Sequence, residues 1–257
     1  MKYKFGISIF IAGLIIVIVC FVAFSKPAKN SSNGYAVIEL FTSEGCSSCP
    51  PADEAVGSLI KENQANVAVL AFHVDYWDNL GWKDPFSSSN YTERQRQYGN
   101  TFHLSSIYTP QAVVNGSEEF VGSSRHELHE TINRELASTT NRAIRLTAFE
   151  NGKNKIEVQF STAISKSEEL NIALVQLHAV NAIKKGENHG KTLDHYNIVR
   201  LFQVIALSKT GNGSLNFTLP EGLFAKDCKV IAFSQEINSR KITGVKETEI
   251  SQKSSTF

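Results

Sequence analysis

Cys46 and Cys49 are the residues of this 257-residue chain whose type and spacing most directly imply chemistry. They stand in FTSEGCSSCPPAD, Phe41 to Asp53, with Ser47 and Ser48 between them and Pro50 and Pro51 after them. Two thiols three apart at a helix start share one face, where a disulfide closes with little movement. The unpaired N–H groups and macrodipole of a helix N-terminus also stabilise a thiolate, so Cys46 is expected there with a lowered pKa. Three chemistries fit the pair: a redox couple, two ligands of a soft metal ion, or an inert staple. A staple across so short a loop gains little chain entropy. Structural zinc needs four ligands, and no second C-x-x-C exists. Cu(I) held by Cys46, Cys49 and His73 or His103 is the binding alternative, since thiolates select soft metals.

Other groups qualify by position. Asp75 lies near the end of the apolar run VAVLAFHVDYW and should emerge at the same sheet edge as the cysteines. It is either a proton acceptor for Cys49 or an exposed acid opening a loop. Tyr76, Trp77, Trp82 and Phe86 either line a groove for polypeptide or pack their own loop onto the body. In ENHGKTLDHYN, the residues Glu187, His189, Asp194 and His195 match no ligand spacing and read as a solvated loop. Glu44 opposes a thiolate at Cys46, whereas the Ser47 and Ser48 hydroxyls favour one. Oxidant, reductant and isomerase are therefore all open. No phosphate loop, G-x-G-x-x-G or Ser-His-Asp arrangement is present, and no cofactor is called for.

The elements that must position these residues follow from periodicity. YAVIELFTS reads as a strand, and PPADEAVGSLIKENQ as a helix with Ala52, Ala55, Val56, Leu59 and Ile60 on one stripe. VAVLAFHVDYW returns as a strand, completing a βαβ unit with parallel strands. A loop and polar helix cover Asp78 to Tyr98, Asn115–Gly116 marks a hairpin, and SSRHELHETINRELAS a helix capped by Ser123 or Ser124. Beyond Thr140 a second hairpin turns at Asn151–Gly152, and the later apolar runs lack helical period. About seven strands there predict a small β-sandwich.

The chain begins with Lys2 and Lys4 before an uncharged run, Phe5 to Phe24. At about 1.5 Å per residue such a run spans the bilayer core, about 30 Å. It reads as a membrane anchor, or as a cleaved signal if Ala23 and Ser25 form a weak cleavage site. Either way the body is exported, facing the periplasm or cell exterior, where disulfides persist. Cys20 lies in this run as a buried thiol. A formal net charge of +1 with no basic block excludes nucleic acid as a partner.

The order of βαβ unit, CxxC at a helix start, Thr109–Pro110, hairpin and closing helix resembles the thioredoxin-like superfamily. That resemblance implies a cis Pro110 packed on the cysteine pair, the Thr109 backbone free to meet a substrate strand, Cys46 attacking and Cys49 resolving. Gly45 stands where thioredoxins usually carry an aromatic, and Ser47–Ser48 replace Gly-Pro. More narrowly, ELFTSEGCSSCPPAD, FHVDYWDNLGWKDPF, YTPQAVVNG and GKTLDHYNIVR are together similar to one family of exported bacterial proteins of unknown function. Its members join a thioredoxin-like half to a β-rich half. The expected organisation is thus α/β then all-β: anchor or signal and tether over 1–34, a thioredoxin-like domain over 35–139, a sandwich-like domain over 140–250, and a polar tail over 251–257. The expected function is thiol–disulfide oxidoreduction, with protein thiols or disulfides as partners and residues 5–24 in a membrane.

Overall fold

The computed structural model describes residues 34–139, 141–152, 154–207 and 211–252. The apolar run 5–24, Cys20 and most of the tether lie outside the described residues. No helix among the described residues is long and apolar enough to cross a membrane.

The βαβ unit forms as periodicity predicts. β1 (Ala36–Thr42) and β2 (Val67–His73) pair in parallel from Ala36↔Val67 to Thr42↔His73, with α1 (Pro50–Glu62) between them. Pro50 and Pro51 occupy the first helical turn, where an absent N–H costs nothing, and Asn63 ends α1 at φ 47°. α2 (Ser89–Thr101) starts at Ser88, whose hydroxyl accepts from Asn90 N. β3 (Gln111–Val114) and β4 (Glu118–Val121) flank Asn115 and Gly116, at φ 48° and 64°, and α3 (Arg125–Ser138) follows. α1 and α3 set Val56, Leu59, Leu128 and Ile132 against Ile38, Leu40 and Val114. Tyr91 and Tyr98 of α2 join a different cluster, with Phe41 and Phe72.

The remaining strands are β5 (Arg145–Glu150), β6 (Lys155–Ser161), β7 (Glu168–Ala182), β8 (Thr192–Ala206), β9 (Asn212–Thr218), β10 (Cys228–Glu236) and β11 (Ile242–Gln252). Their number agrees with the sequence pattern, but their architecture corrects it. A thioredoxin-like α/β domain followed by a separate all-β sandwich is not what forms. Among the described residues all eleven strands make one mixed sheet in the order β4-β3-β1-β2-β8-β7-β10-β11-β5-β6-β9. The join is β8 beside β2, parallel at Ala71↔Ile198. β7 and β8 are each 15 residues long, so their hairpin outreaches the 7-residue β2 and pairs with its otherwise open apolar edge. The core is continuous across the join: Phe41, Phe72, Val175, Val199, Ile231 and Phe233 belong to one cluster. Periodicity reports that a segment is a strand and is silent on its distant partner.

A buried polar network ties α2 to both sides of the join. The Arg94 guanidinium donates to both Glu39 oxygens, at 2.5 and 2.9 Å, and to Gln235 Oε1 of β10 at 3.1 Å. Tyr98 donates its hydroxyl proton to Glu39 and accepts from Gln235 Nε2 at 2.7 Å.

Candidate functional site

β1 ends at Thr42 and the chain turns twice before α1. Cys46 N donates to Ser43 O at 3.2 Å, and Cys49 N to Cys46 O at 3.2 Å. Cys49 is the N-cap of α1, in helical geometry at φ −77° and ψ −36°. The helix therefore starts one turn later than expected, and Cys46 sits in the turn before it. The two prolines are the reason: they suit the first helical positions, leaving the cysteine N–H groups to close the preceding turn.

Both thiols are free and fully buried. Cys46 Sγ lies 3.2 Å from Ser48 Oγ and 3.8 Å from Thr109 O. The Thr109–Pro110 peptide is cis, and Trp77 Nε1 donates to Thr109 Oγ1 at 2.8 Å. A hydrogen bond from Cys49 outweighs burial and, with help from Ser48 and Thr109, brings the Cys46 thiol down to about 6. Burial first, then donation to Cys46 and the nearby charges of Cys46 and Asp53, push Cys49 far up. The pair is therefore unequal: one thiol is ready to ionise and the other holds its proton.

Behind the pair lies a buried polar cluster that the sequence pattern did not reveal. Glu44, Asp53, His73, Asp84 and His195 are each at most 4% exposed. Asp84 Oδ2 pairs with His73 Nδ1 at 2.6 Å and accepts from Glu44 N at 2.8 Å. Although burial opposes it, His73 beside Asp84 holds that carboxyl below its usual range. His195 Nε2 is 3.2 Å from Glu44 Oε1, and its Nδ1 is 3.4 Å from Asp53 Oδ2. Burial would lower the His195 pKa, but the hydrogen bonds and charges of Asp53 and Glu44 carry it up to about 10. Trp82 Nε1 and Asn181 Nδ2 also donate to Glu44, each at 2.7 Å. Glu44 is thus turned into this cluster, and the groups acting on the Cys46 thiol are Cys49, Ser48 and Thr109.

The tip of the β7–β8 hairpin closes the site. Asn188, fully buried, donates from Nδ2 to Glu44 O and Cys46 O, each at 2.9 Å. Glu187 Oε2 accepts from Ser47 N at 3.0 Å. Gly186, at φ 75°, approaches Trp82 so closely that a Cβ would lie 3.1 Å from the Trp82 Cβ. The segment read as a solvated loop is therefore part of the site. The partners of Glu187 and Asn188 are 140 to 144 residues away, beyond the reach of local pattern.

The other expected residues fall as follows. Asp75 turns toward α2 and accepts from Thr92 Oγ1 at 2.5 Å. The carboxylate whose charge acts on Cys49 is instead Asp53, four residues along α1. His73 is committed to Asp84 and His103 is exposed. Among the described residues, no group of three or more His, Cys, Asp or Glu could hold a metal ion. Trp77, Trp82 and Phe86 are bound to the body, Phe86 lying 5.2 Å and 5.8 Å from the His73 and His195 ring centres. One signal for His195 was present: Leu193, His195, Asn197 and Val199 alternate along β8 and are all buried.

Residues 37–235 match a family model described as a protein of unknown function (DUF1223). A solved protein from Agrobacterium tumefaciens is similar over 86% of this chain and 95% of its own, at 25% identity and a TM-score of 0.63. A domain of the outer membrane lipoprotein Omp28 from Porphyromonas gingivalis aligns over 44% of this chain and 91% of its own, at 12% identity and a TM-score of 0.28. No curated protein matches the chain.

Proposed function

The chain belongs to DUF1223, a family of proteins of unknown function, and from that premise we propose that it is an extracytoplasmic thiol–disulfide oxidoreductase acting through Cys46 and Cys49. The observation that carries this reading is the unequal pair. Cys46 is surrounded by the Cys49 thiol, Ser48 and Thr109, all of which favour its thiolate, while Cys49 keeps its proton. The local resemblance to thioredoxin-like proteins, with Thr109–Pro110 beside the thiols, supports it at the level of the site rather than the architecture. The apolar run 5–24 supports the compartment.

In the reducing direction, the Cys46 thiolate attacks one sulfur of a substrate disulfide. A mixed disulfide forms, and the other substrate sulfur leaves as a thiolate that takes up a proton. Cys49 then loses its proton to Asp53, whose charge already acts on it, and attacks the Cys46 sulfur. The second substrate sulfur leaves, a Cys46–Cys49 disulfide remains, and two electrons have passed to the substrate. An oxidant runs the same steps backward. His195, between Asp53 and Glu44, balances the charge that Asp53 carries before it accepts the proton.

The test is redox equilibration of the purified protein in graded mixtures of reduced and oxidised dithiothreitol, read by alkylating the remaining thiols. A reversible two-electron transition, together with mixed disulfides accumulating in Cys49→Ala, is the expected result. A pair that never exchanges with added disulfide would overturn the redox reading, leaving a soft-metal site or an inert staple.

A further inference from the structure

Phe86 packs against the His73 and His195 rings and also walls a cavity of about 750 Å³ that contains neither thiol. That volume lies in the range of small-molecule sites, about 300–1,000 Å³. Aromatic faces from Phe86, Tyr91 and Phe202 line it, together with Arg94, Arg200 and Arg240.

The three arginines have their charges met differently. Arg94 is held by both oxygens of Glu39. Arg240 Nη1 pairs with Glu169 Oε1 at 3.0 Å. The half-buried Arg200 lies over the Phe86 ring at 5.0 Å and donates to Gln176 Oε1. Among the described residues it forms no ion pair with a carboxylate. A guanidinium partly withdrawn from water without a contacting carboxylate is unfavourable, and burial pulls the Arg200 pKa down against the weaker, more distant pull of Tyr91, Cys228 and Asp84.

Two further features of the cavity wall call for an acceptor. Arg240 is 8% exposed, and its Nε is buried without a hydrogen-bond partner. Ser88 and Asn90, at the N-terminal end of the 13-residue α2, also line the cavity, and the first turn of that helix carries no acidic residue. The Ser88 hydroxyl caps Asn90 N, but no carboxylate of the first turn offsets the positive end.

The charge balance sets the ligand's valence. Arg94 is balanced by Glu39, Arg240 by Glu169, and the wall residue Glu93 by Arg96 at 3.5 Å. One positive charge remains, on Arg200. The carboxylates of Glu93 and Glu169 in the same wall disfavour a second negative charge. We propose that this cavity binds a small organic monoanion, with its carboxylate or sulfonate on Arg200 and an aromatic or apolar body against Phe86 and Phe202. The site is independent of the thiol chemistry.

Two probes with the same ring body test it on the full-length protein. 8-Anilinonaphthalene-1-sulfonate carries one negative charge, whereas N-phenyl-1-naphthylamine carries none, and both report binding by fluorescence. Arg200→Gln should weaken the sulfonate about tenfold, the scale of one charge-assisted contact, and change the neutral probe less than about twofold. Asn90→Asp, at an exposed position, puts a competing carboxylate in the first turn of α2 and should weaken the sulfonate severalfold. That variant decides the matter if circular dichroism shows Arg200→Gln to be misfolded. Cys46→Ser should leave both probes unchanged. The proposal is overturned if the sulfonate does not bind, or if it binds wild type and the folded variants with equal affinity.

Discussion

Two buried charged networks lie on the same sheet, and they are built to opposite rules. In the first, Arg94 reaches both oxygens of Glu39 together with Tyr98 and Gln235, and the faces of Phe72, Phe202 and Phe233 lie 5.0 to 5.6 Å from its guanidinium carbon. In the second, next to the cysteines, three carboxylates face two imidazoles, and His73 Nε2 and both ring nitrogens of His195 lack a well-aligned hydrogen bond. Burial is the same in both, so burial does not distinguish them. Satisfaction does. A fully matched network fixes a unique packing, whereas titratable groups left partly matched are those whose protonation can change at little structural cost. If the proposed thiol chemistry holds, the first network is scaffold and the second is the one placed to handle protons.

The most severe way to break that contrast is Glu39→Gln. It leaves the Arg94 guanidinium buried without its charge partner, and loss of one member of such a pair costs about 3–5 kcal/mol. Urea unfolding should show that loss. The pH midpoint of Cys46 alkylation in the folded protein should not move. If it moves, the two networks are one.

His195 gives the next largest effect. Its folded pKa of about 10 stands above the ordinary histidine value of 6.5. The stability it contributes is therefore fully present below about 6.5 and lost as pH rises through about 10. Cys46, with its pKa lowered from 9.0 to about 6, works in the other direction: its contribution is present above about 9 and lost as pH falls through about 6. A Cys46→Ser background removes that overlap. There, unfolding measured at pH 6 and pH 10 should show a decline of about 2 kcal/mol that His195→Gln lacks, the scale of a hydrogen bond to a charged group. Parallel curves for the two proteins would take the imidazolium out of the cluster's chemistry.

The thiols sharpen the comparison further. The largest cause of the low Cys46 pKa is the hydrogen bond from Cys49. In Cys49→Ala, alkylation of Cys46 at pH 6 should fall by about tenfold or more, because an unassisted thiol ionises near pH 8.5. An unchanged rate would mean that Ser48 and Thr109 suffice.

These residues differ in how far sequence alone could place them, and the reason is distance along the chain. The βαβ unit was legible because Ala52, Ala55, Val56 and Leu59 share a helical stripe and the flanking apolar runs are strand-like. The Asn115–Gly116 hairpin was legible because its turn needs positive φ at both residues. The pairing of β8 with β2, which replaces two expected domains by one sheet, leaves no local mark. The same holds for the cluster: Glu44 meets Asn181 and His195 only because the β7–β8 hairpin runs back over the cysteine turn. Asp53 could have been found by counting four residues on from Cys49 along α1, and Asp75 was preferred only because it lies near a strand end. His195 sits on the inward register of β8, and a histidine there should have outweighed the loop-like look of the glycines beside it.

Asn188 tests the finest part of the contrast, whether the hairpin tip acts on access or on acidity. Its side chain donates to the carbonyls of Glu44 and Cys46, and Cys46 is fully buried, so a reagent reaches the thiol only when a neighbouring segment moves, and this tip holds the cysteine turn directly. Asn188→Ala removes two neutral hydrogen bonds, together worth about 1 kcal/mol, and should raise the Cys46 alkylation rate about fivefold. If the tip governs access alone, the increase is the same at every pH and the midpoint stays near 6, because Asn188 contacts backbone carbonyls and the acidity comes from Cys49, Ser48 and Thr109. A shifted midpoint with an unchanged limiting rate would assign Asn188 to acidity instead. The hairpin would then belong with the proton-handling cluster in function as well as in position, and substrate would have to enter by a path that leaves the tip in place.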